Sequence, residues 1–149
     1  MQTRVFTLGP DESLESALAL FREKHVGGAP VIDREGRLVG VISVFDLLAS
    51  LGGPEPDAGC ALFFRDHPLS WTTEWSFRLE GRPDALRGQH VSDVMTREVV
   101  AVAPDTSLAD VARVLREHRI HRVVVCDVER MLGIVSSFDL LACFETETS

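Results

Sequence analysis

Two Ser-x-x-Asp sequences are the most chemically suggestive feature of the chain: Ser43 with Asp46, and Ser136 with Asp139. Each follows an apolar stretch typical of a strand and opens an apolar stretch typical of a helix. An ionised carboxylate accepts two hydrogen bonds from a vicinal diol, and a serine hydroxyl at a helix N-terminus joins backbone amides and a dipole that favour an anion. The same spacing is that of a capping box, in which both side chains only satisfy amides at the helix end. The motif alone leaves a binding role and a capping role open.

These motifs lie near the ends of a longer internal repeat. The sequence Pro-Asp-x-Ser-Leu at residues 10–14 recurs at residues 104–108, and residues 40–49 recur as residues 133–142. Matches in the same order over both stretches indicate a tandem duplication. Because each copy alone would have an incomplete hydrophobic core, we expect the two copies to pack against each other as a pseudo-symmetric pair.

Each copy has the pattern of a β-α-β-β-α unit. Apolar residues recur at helical spacing after each Pro-Asp turn, which predicts that one face of each helix covers a sheet. These residues are Leu14, Ala17, Leu18 and Phe21 in the first copy and Leu108, Val111, Ala112 and Leu115 in the second. Strands are predicted at residues 5–8, 29–33, 38–43, 99–102, 123–127 and 131–136, with final helices from Val44 and Ser137. The predicted fold class is α+β, with the two repeats packed sheet to sheet.

The chain divides into three parts by composition. Residues 1–51 form the first repeat and residues 91–149 the second, while residues 52–90 are an inter-repeat insert without a counterpart in the duplication. The insert begins with glycine, proline and acidic residues and then carries aromatic residues. Connections this long are uncommon unless they have a function. We therefore expect the insert to pack over an apolar patch or a partner subunit.

Composition argues against several classes of function. A formal net charge of −8 opposes electrostatic binding of a nucleic acid or an anionic membrane. No apolar stretch reaches the roughly 18 residues that a membrane helix needs. Without an export signal or the spacing of a metal site, the expected location is a reducing cytoplasm. Motifs of hydrolases, P-loop enzymes and dinucleotide-binding enzymes are missing, so we expect no enzymatic activity.

The repeated unit resembles a CBS domain, the cystathionine beta-synthase-type repeat, and the chain resembles the tandem pair known as a Bateman module. The resemblance is carried by Val-Ser-Asp-Val-Met at residues 91–95, by Ile-His-Arg at residues 120–122 and by the closing Gly-h-h-Ser-x-x-Asp of each copy, where h is apolar. It implies that an adenosine compound, such as AMP, ADP, ATP or S-adenosylmethionine, binds in clefts between the repeats as a regulatory ligand. The sequence leaves open which compound binds and whether magnesium accompanies it.

In this family the closing aspartate holds the ribose hydroxyls and the serine faces the phosphate side. The resemblance therefore implies ribose contacts for Asp46 and Asp139, with Ser43 and Ser136 toward the phosphate. It also implies that each cleft is built from both repeats. The Asp46 cleft is expected to contain Val41 with Val100, His121 and Arg122, and the Asp139 cleft to contain Ile134 with Phe6, Gly27, Gly28 and Pro30.

The two clefts are expected to differ in charge. His121 and Arg122 would give the Asp46 cleft cationic groups for phosphate, whereas Gly27 and Gly28 stand at the corresponding positions of the other cleft. We therefore expect nucleotide to bind first beside Asp46. A plainer interpretation stays open, since a polar pair between a helix and a strand is often only a solvated turn.

Two hypotheses about function follow from different classes. In the first, the protein is a regulatory module that senses an adenosyl compound and signals its occupancy to a client enzyme or transporter through a change of shape. In the second, the same fold is a ligand-free dimerisation or scaffold module whose aromatic insert docks a client protein. The resemblance implies a homodimer in either case, with contacts on the exposed helix faces within residues 13–25 and 107–118.

Overall fold

The structure, a computed structural model, describes residues 3–50 and 86–147 of the chain. The insert predicted at residues 52–90 lies largely outside the described residues, so its packing stays a prediction. The described ranges contain the core of both repeats and both Ser-x-x-Asp motifs.

Two small mixed units make up this part of the chain. The first consists of α1 (Leu14–Lys24), β1 (Gly28–Ile32), β2 (Leu38–Ser43) and α2 (Val44–Ser50). The second consists of α3 (Val91–Val94), β3 (Ala101–Val102), α4 (Leu108–His118), β4 (Arg122–Asp127), β5 (Arg130–Ser136) and α5 (Ser137–Glu147). β1 pairs antiparallel with β2, while β4 pairs parallel with β3 and antiparallel with β5. The predicted α+β fold of two repeats is confirmed.

The strand predicted at residues 5–8 is wrong for most of its length. Only Leu8 pairs with β1, in an isolated parallel bridge to Val31 supported by backbone hydrogen bonds of 2.9 and 3.0 Å. Residues 3–7 have no regular secondary structure, because none of their backbone groups joins this ladder. The corresponding strand of the second repeat is reduced to β3.

The helices α1 and α4 begin and end in the same way. Ser13 and Ser107 are the N-caps, and the hydroxyl of each accepts a hydrogen bond of 3.1 Å from the amide three residues later. His25 and Arg119 end the helices in the left-handed region, at φ of 53° and 55°. This agreement supports a duplicated unit, because the two helices share both their start and their stop signals.

The buried faces of these two helices differ. In α1 the whole predicted stripe is buried, namely Leu14, Ala17, Leu18 and Phe21. In α4 Val111 and Leu115 are buried, whereas Leu108 is 55% exposed and Ala112 is also exposed. The predicted stripe is therefore confirmed for α1 and wrong for half of α4. Residues 86–95 complete the core over α1, and among the described residues no corresponding segment packs against Leu108.

Each hydrophobic core is completed by residues from the other repeat. Val91 of the second repeat, together with Leu86 from the end of the insert, is buried in the core of the first repeat, and Val41 of β2 is buried in the core of the second. The Val91 amide donates a 2.8 Å hydrogen bond to the Glu12 carbonyl oxygen, so the two repeats are also joined by a backbone contact. The repeats are therefore interlocked through their cores.

The tips of the two hairpins are also joined. The Leu38 amide donates to the Glu129 carbonyl oxygen at 2.7 Å, and the Met131 amide donates to the Gly36 carbonyl oxygen at 3.2 Å. Gly36 has a φ of +84°, a conformation that glycine adopts without a steric penalty. These contacts hold the two sheets in a fixed relation at the end where the hairpins turn.

Candidate functional site

Both Ser-x-x-Asp motifs lie at a corner where a strand passes directly into a helix. At the first corner, Oδ2 of Asp46 accepts a hydrogen bond from the Ser43 amide at 2.7 Å and from the Ser43 hydroxyl at 3.3 Å. At the second, Oδ2 of Asp139 accepts from the Ser136 amide at 2.8 Å, and the Ser136 hydroxyl accepts from the Asp139 amide at 3.2 Å. Both aspartates therefore cap their own corner, and any binding role falls chiefly to the other oxygen of each carboxylate.

The first corner is closed. Ser43 is 1% exposed and Asp46 is 7% exposed. The Thr96 side chain hydrogen-bonds to the Asp46 carboxylate, and the Thr96 backbone pairs with Val41 through hydrogen bonds of 2.8 and 2.9 Å. Burial raises the pKa of Asp46, against the hydrogen bonds from Ser43 and Thr96 that lower it. Beneath Thr96, this carboxylate lacks the access that a ribose contact requires.

A glycine in β2 allows the chain around Thr96 to lie this close. A Cβ atom on Gly40 would be 2.8 Å from the Thr96 carbonyl oxygen and 3.0 Å from the Met95 sulfur. Both distances are shorter than ordinary van der Waals contacts, so only glycine fits without a shift of the neighbouring chain. The first corner is therefore closed by Thr96 together with the glycine of β2 that lets Thr96 approach.

The second corner borders a cavity of about 350 Å³, a volume within the range of small-molecule sites. Its apolar walls come from both repeats and consist of Val5, Phe6, Val26, Pro30, Ile134 and Phe138. The aromatic rings lie at its edge, since Phe6 is 49% and Phe138 is 72% exposed. Ser136 also lines the cavity, immediately before the first turn of α5.

The charged side chains of this lining are two arginines, with a histidine beside them. Arg4, His121 and Arg122 line the cavity, and no Asp or Glu of residues 3–50 and 86–147 does. The Arg4 guanidinium makes no hydrogen bond or ion pair with any other described residue. An anion here would meet charge-assisted donors and the N-terminal end of α5, both of which favour negative charge.

Asp139 lies next to the cavity but is not part of its lining. It is half-buried and is bonded to Ser136, which is part of the lining, whereas Asp139 itself is not. Within the described ranges its Oδ1 atom has no hydrogen-bond partner. The second carboxylate thus differs from the first in having one oxygen without a partner among these residues.

The structure brings most of the predicted site residues into this one cavity. Those that line it are Phe6, Gly28, Pro30, His121, Arg122, Ile134 and Ser136. Ser43 and Asp46 lie at the closed corner, and Val41 and Val100 pack in the hydrophobic core of the second repeat. The predicted residues therefore lie at one open site and one closed corner.

The predicted placement of His121 and Arg122 beside Asp46 is wrong. Arg122 pairs with Ser136 in the antiparallel ladder of β4 and β5, and the Ser137 amide donates to the His121 carbonyl oxygen at 2.8 Å. This register places the His-Arg pair next to the serine of its own repeat. The cationic groups consequently belong to the cavity at the Asp139 corner.

Four residues of the cavity were not predicted from the sequence, namely Arg4, Val5, Val26 and Phe138. Phe138 lies between Ser136 and Asp139 in the repeated motif, so its position in the motif could have identified it. Arg4 precedes Phe6 by two residues, and residues at this spacing share one side of an extended segment. Thr96 was also missed, because its contact with Asp46 depends on how the repeats interlock.

The described residues contain neither a helix suited to cross a membrane nor a cluster suited to hold a metal ion. Among their helices, none combines the length and the apolar character needed to cross a membrane. The same residues contain no group of three or more His, Cys, Asp or Glu side chains that could hold a metal ion.

Comparison with known proteins gives one family and several relatives. The model of the CBS domain matches residues 1–53 and 91–145. The uncharacterized protein MJ1426 of Methanocaldococcus jannaschii is 32% identical over 136 residues, which cover 88% of this chain and 80% of that protein. The chloroplastic CBS domain-containing protein CBSX2 of Arabidopsis thaliana is 36% identical over 130 residues, which cover 85% of this chain and 53% of CBSX2.

The solved structures agree with this assignment. The crystal structure of CBSX2 in complex with AMP superimposes with a TM-score of 0.65 at 28% identity, covering 97% of this chain and 90% of that one. Two family matches in tandem, each containing one Ser-x-x-Asp corner, account for the duplication found in the sequence. The chain therefore belongs to the CBS domain family, as a tandem pair of CBS domains.

Proposed function

We propose that this protein is a regulatory module that binds an adenine nucleotide in the cavity at the Asp139 corner. The observation that carries the proposal is the composition of the cavity, where apolar walls surround cationic side chains and a serine at a helix N-terminus. The relative CBSX2, which has been crystallised with AMP, supports adenine nucleotide as the ligand class.

Each part of a nucleotide has a matching group. The adenine ring would lie against Phe6, Ile134 and Phe138, whose apolar surfaces suit an aromatic base. The phosphate would be held by Arg4 and His121 and by the first turn of α5. A ribose hydroxyl would donate to the Oδ1 atom of Asp139. The expected order of binding is thereby reversed, since the open site is beside Asp139 and not beside Asp46.

Binding in this cavity would connect the two repeats. Arg4, Phe6 and Pro30 belong to the first repeat, whereas His121 and Ser136 belong to the second. A nucleotide that contacts both sets favours the relative position of the repeats in which all its contacts are made. The nucleotide can shift the equilibrium between two arrangements of the repeats only by as much as its affinities for the two arrangements differ. Such a shift would carry the signal to a client enzyme or transporter.

The test is isothermal titration calorimetry with AMP, ADP, ATP and S-adenosylmethionine, each with and without magnesium. We expect at least one adenine nucleotide to bind, and Asp139→Asn to weaken its binding about tenfold through the lost charge-assisted hydrogen bond. Asp46→Asn is the matched control and should leave the affinity within about twofold. No binding by any compound, or equal losses in the two variants, would contradict the proposal.

A second candidate function is supported by a different observation. Leu108, Phe138 and Leu141 are 55%, 72% and 59% exposed, and large apolar side chains on a surface often mark a contact with another protein. The alternative is a ligand-free homodimer or scaffold that holds a client protein. Sedimentation of wild type and Leu141→Glu separates the two. If Leu141→Glu disrupts a dimer and none of the compounds binds in the calorimetric titrations, the scaffold function is favoured.

A further inference from the structure

The segment that carries Arg4 and Phe6 into the cavity is weakly attached to the rest of the protein. Residues 3–7 have no regular secondary structure. Among the described residues, no hydrogen bond or ion pair joins them to any other part of the chain, and the first backbone hydrogen bonds are those of Leu8. Their position at the cavity therefore depends on side-chain contacts.

One such contact joins this segment to a helix. The Nζ atom of Lys24 lies over the Phe6 ring, 5.2 Å from its centroid, at a distance typical of a cation–π interaction. Lys24 ends α1, whose Phe21 is fully buried, so the lysine projects from a well-anchored element. Its other charged neighbour is the exposed Glu23, whose Oε1 lies 3.9 Å from Nζ.

We propose that Lys24 is a positioning residue for the cavity: its ammonium group holds the Phe6 ring, and thereby the Arg4 guanidinium, where a bound nucleotide would meet them. The effect on binding rests on the function proposed above, but the contact itself does not. Lys24 is also the one lysine in the sequence, so its chemistry can be followed without interference from another lysine.

The expected effect follows from pre-organisation. Without the contact, residues 3–7 would spend part of their time in positions that do not form the cavity wall, and the apparent affinity would fall in proportion to the competent fraction. A cation–π contact at an exposed site corresponds to a change of about two- to fivefold in such an equilibrium. Arginine makes the same kind of contact, so Lys24→Arg should preserve it, whereas Lys24→Met removes the charge but keeps an unbranched side chain.

The first experiment detects the contact in the absence of ligand. Reductive methylation of the full chain with ¹³C-formaldehyde labels Lys24 and the terminal amine, and the dimethyl-lysine remains cationic. The lysine signal is the one that is absent in Lys24→Arg. Ring currents above Phe6 should move this signal upfield in the wild type, and Phe6→Leu should return it to the position of a free dimethyl-lysine. The same chemical shift in both proteins would overturn the proposal.

The second experiment measures AMP affinity by calorimetry. Lys24→Met should weaken binding about two- to fivefold, and Lys24→Arg should restore it. Arg116→Met, which removes one positive charge from the last turn of α4, is the control and should bind AMP like the wild type. AMP binding by Lys24→Met at wild-type strength would overturn the proposal. Failure of the wild type to bind AMP would instead count against the proposed function, and the chemical-shift comparison would still decide whether Lys24 holds Phe6.

Discussion

The two strand-to-helix corners of this protein carry the same motif and differ in what surrounds it. At the first corner the carboxylate of Asp46 is 7% exposed and is bonded to Thr96 as well as to Ser43. At the second corner Asp139 is half-buried and Ser136 opens onto a cavity. A repeated binding motif thus marks two possible sites, and the neighbouring repeat decides which of them is accessible.

Residues that line the second corner differ in charge from those at the equivalent positions of the duplication. Arg4 lines the cavity at the second corner, and the position equivalent to it in the duplication is Glu98. His121 lines the same cavity, where the first repeat has Gly27. The second corner therefore has the cationic Arg4 and the hydrogen-bond donor His121, both of which favour a phosphate, whereas Glu98 and Gly27 stand at the equivalent positions of the duplication.

The charge difference predicts the largest effect. Arg4→Glu should weaken AMP binding by about 30- to 100-fold, because it removes a charge-assisted hydrogen-bond donor and adds repulsion. Its matched control is Glu98→Arg, which changes the charge at the equivalent position of the duplication and should leave the affinity within about twofold. Calorimetry measures the AMP affinity of both variants. A greater loss of affinity in Glu98→Arg than in Arg4→Glu would contradict the predicted role of Arg4.

The closure of the first corner predicts an effect on stability. Gly40→Ala should lower the free energy of unfolding by about 1–3 kcal/mol, because the new methyl group meets the Thr96 carbonyl oxygen in a packed region. Gly27→Ala is the control, since a Cβ there meets nothing within 4 Å, and it should change stability by less than about 0.5 kcal/mol. Urea denaturation gives both values. Equal stability of the two variants would show that Thr96 is not held tightly against β2.

The smallest predicted effect is a difference in pH dependence. Burial raises the pKa of Asp46 above its ordinary value of 3.8, so the folded protein binds this proton more tightly than the unfolded chain does. Its contribution to stability is therefore greatest below the unfolded pKa and is lost as the pH rises through the raised folded pKa. Asp46→Asn does not titrate, and its stability relative to wild type should increase over that window.

A carboxylate with the opposite shift serves as the comparison for this measurement. The backbone hydrogen bond from Arg37 lowers the pKa of Asp33, so its contribution to stability is present above 3.8 and is lost as the pH falls through the lowered value. Asp33→Asn should therefore show the reverse trend in urea midpoints between about pH 3 and about pH 7. A parallel trend in the two variants would contradict the opposite pKa shifts of Asp46 and Asp33.

Most helices and strands could be predicted from the sequence, because helix starts and apolar strand patterns are local signals. The Pro-Asp-x-Ser-Leu starts predict α1 and α4, and the structure places their N-caps at Ser13 and Ser107. The alternation and length of the apolar runs likewise predict β2 with its observed ends, Leu38 and Ser43. The strand at residues 5–8 failed, because apolar composition predicts a strand without telling whether a neighbouring strand will pair along its whole length.

The candidate site could be predicted only in part, because its contents depend on how the repeats cross. The resemblance to CBS domains placed Phe6, Pro30 and Ser136 at the Asp139 corner, and all three line the cavity there. His121 was assigned to the wrong corner, since its place is set by the register between β4 and β5. The burial of Asp46 beneath Thr96 could not be deduced either, because the two residues lie on different repeats and no local pattern links them.

The most direct test of the account is to follow backbone amide chemical shifts of the full chain as AMP is added. We expect the largest changes at Arg4, Phe6, His121 and Ser136, with the amides of Ser43 and Thr96 nearly unchanged. Large changes at Ser43, Asp46 and Thr96 with little change at Ser136 would contradict it, because the nucleotide would then occupy the corner that the structure shows closed.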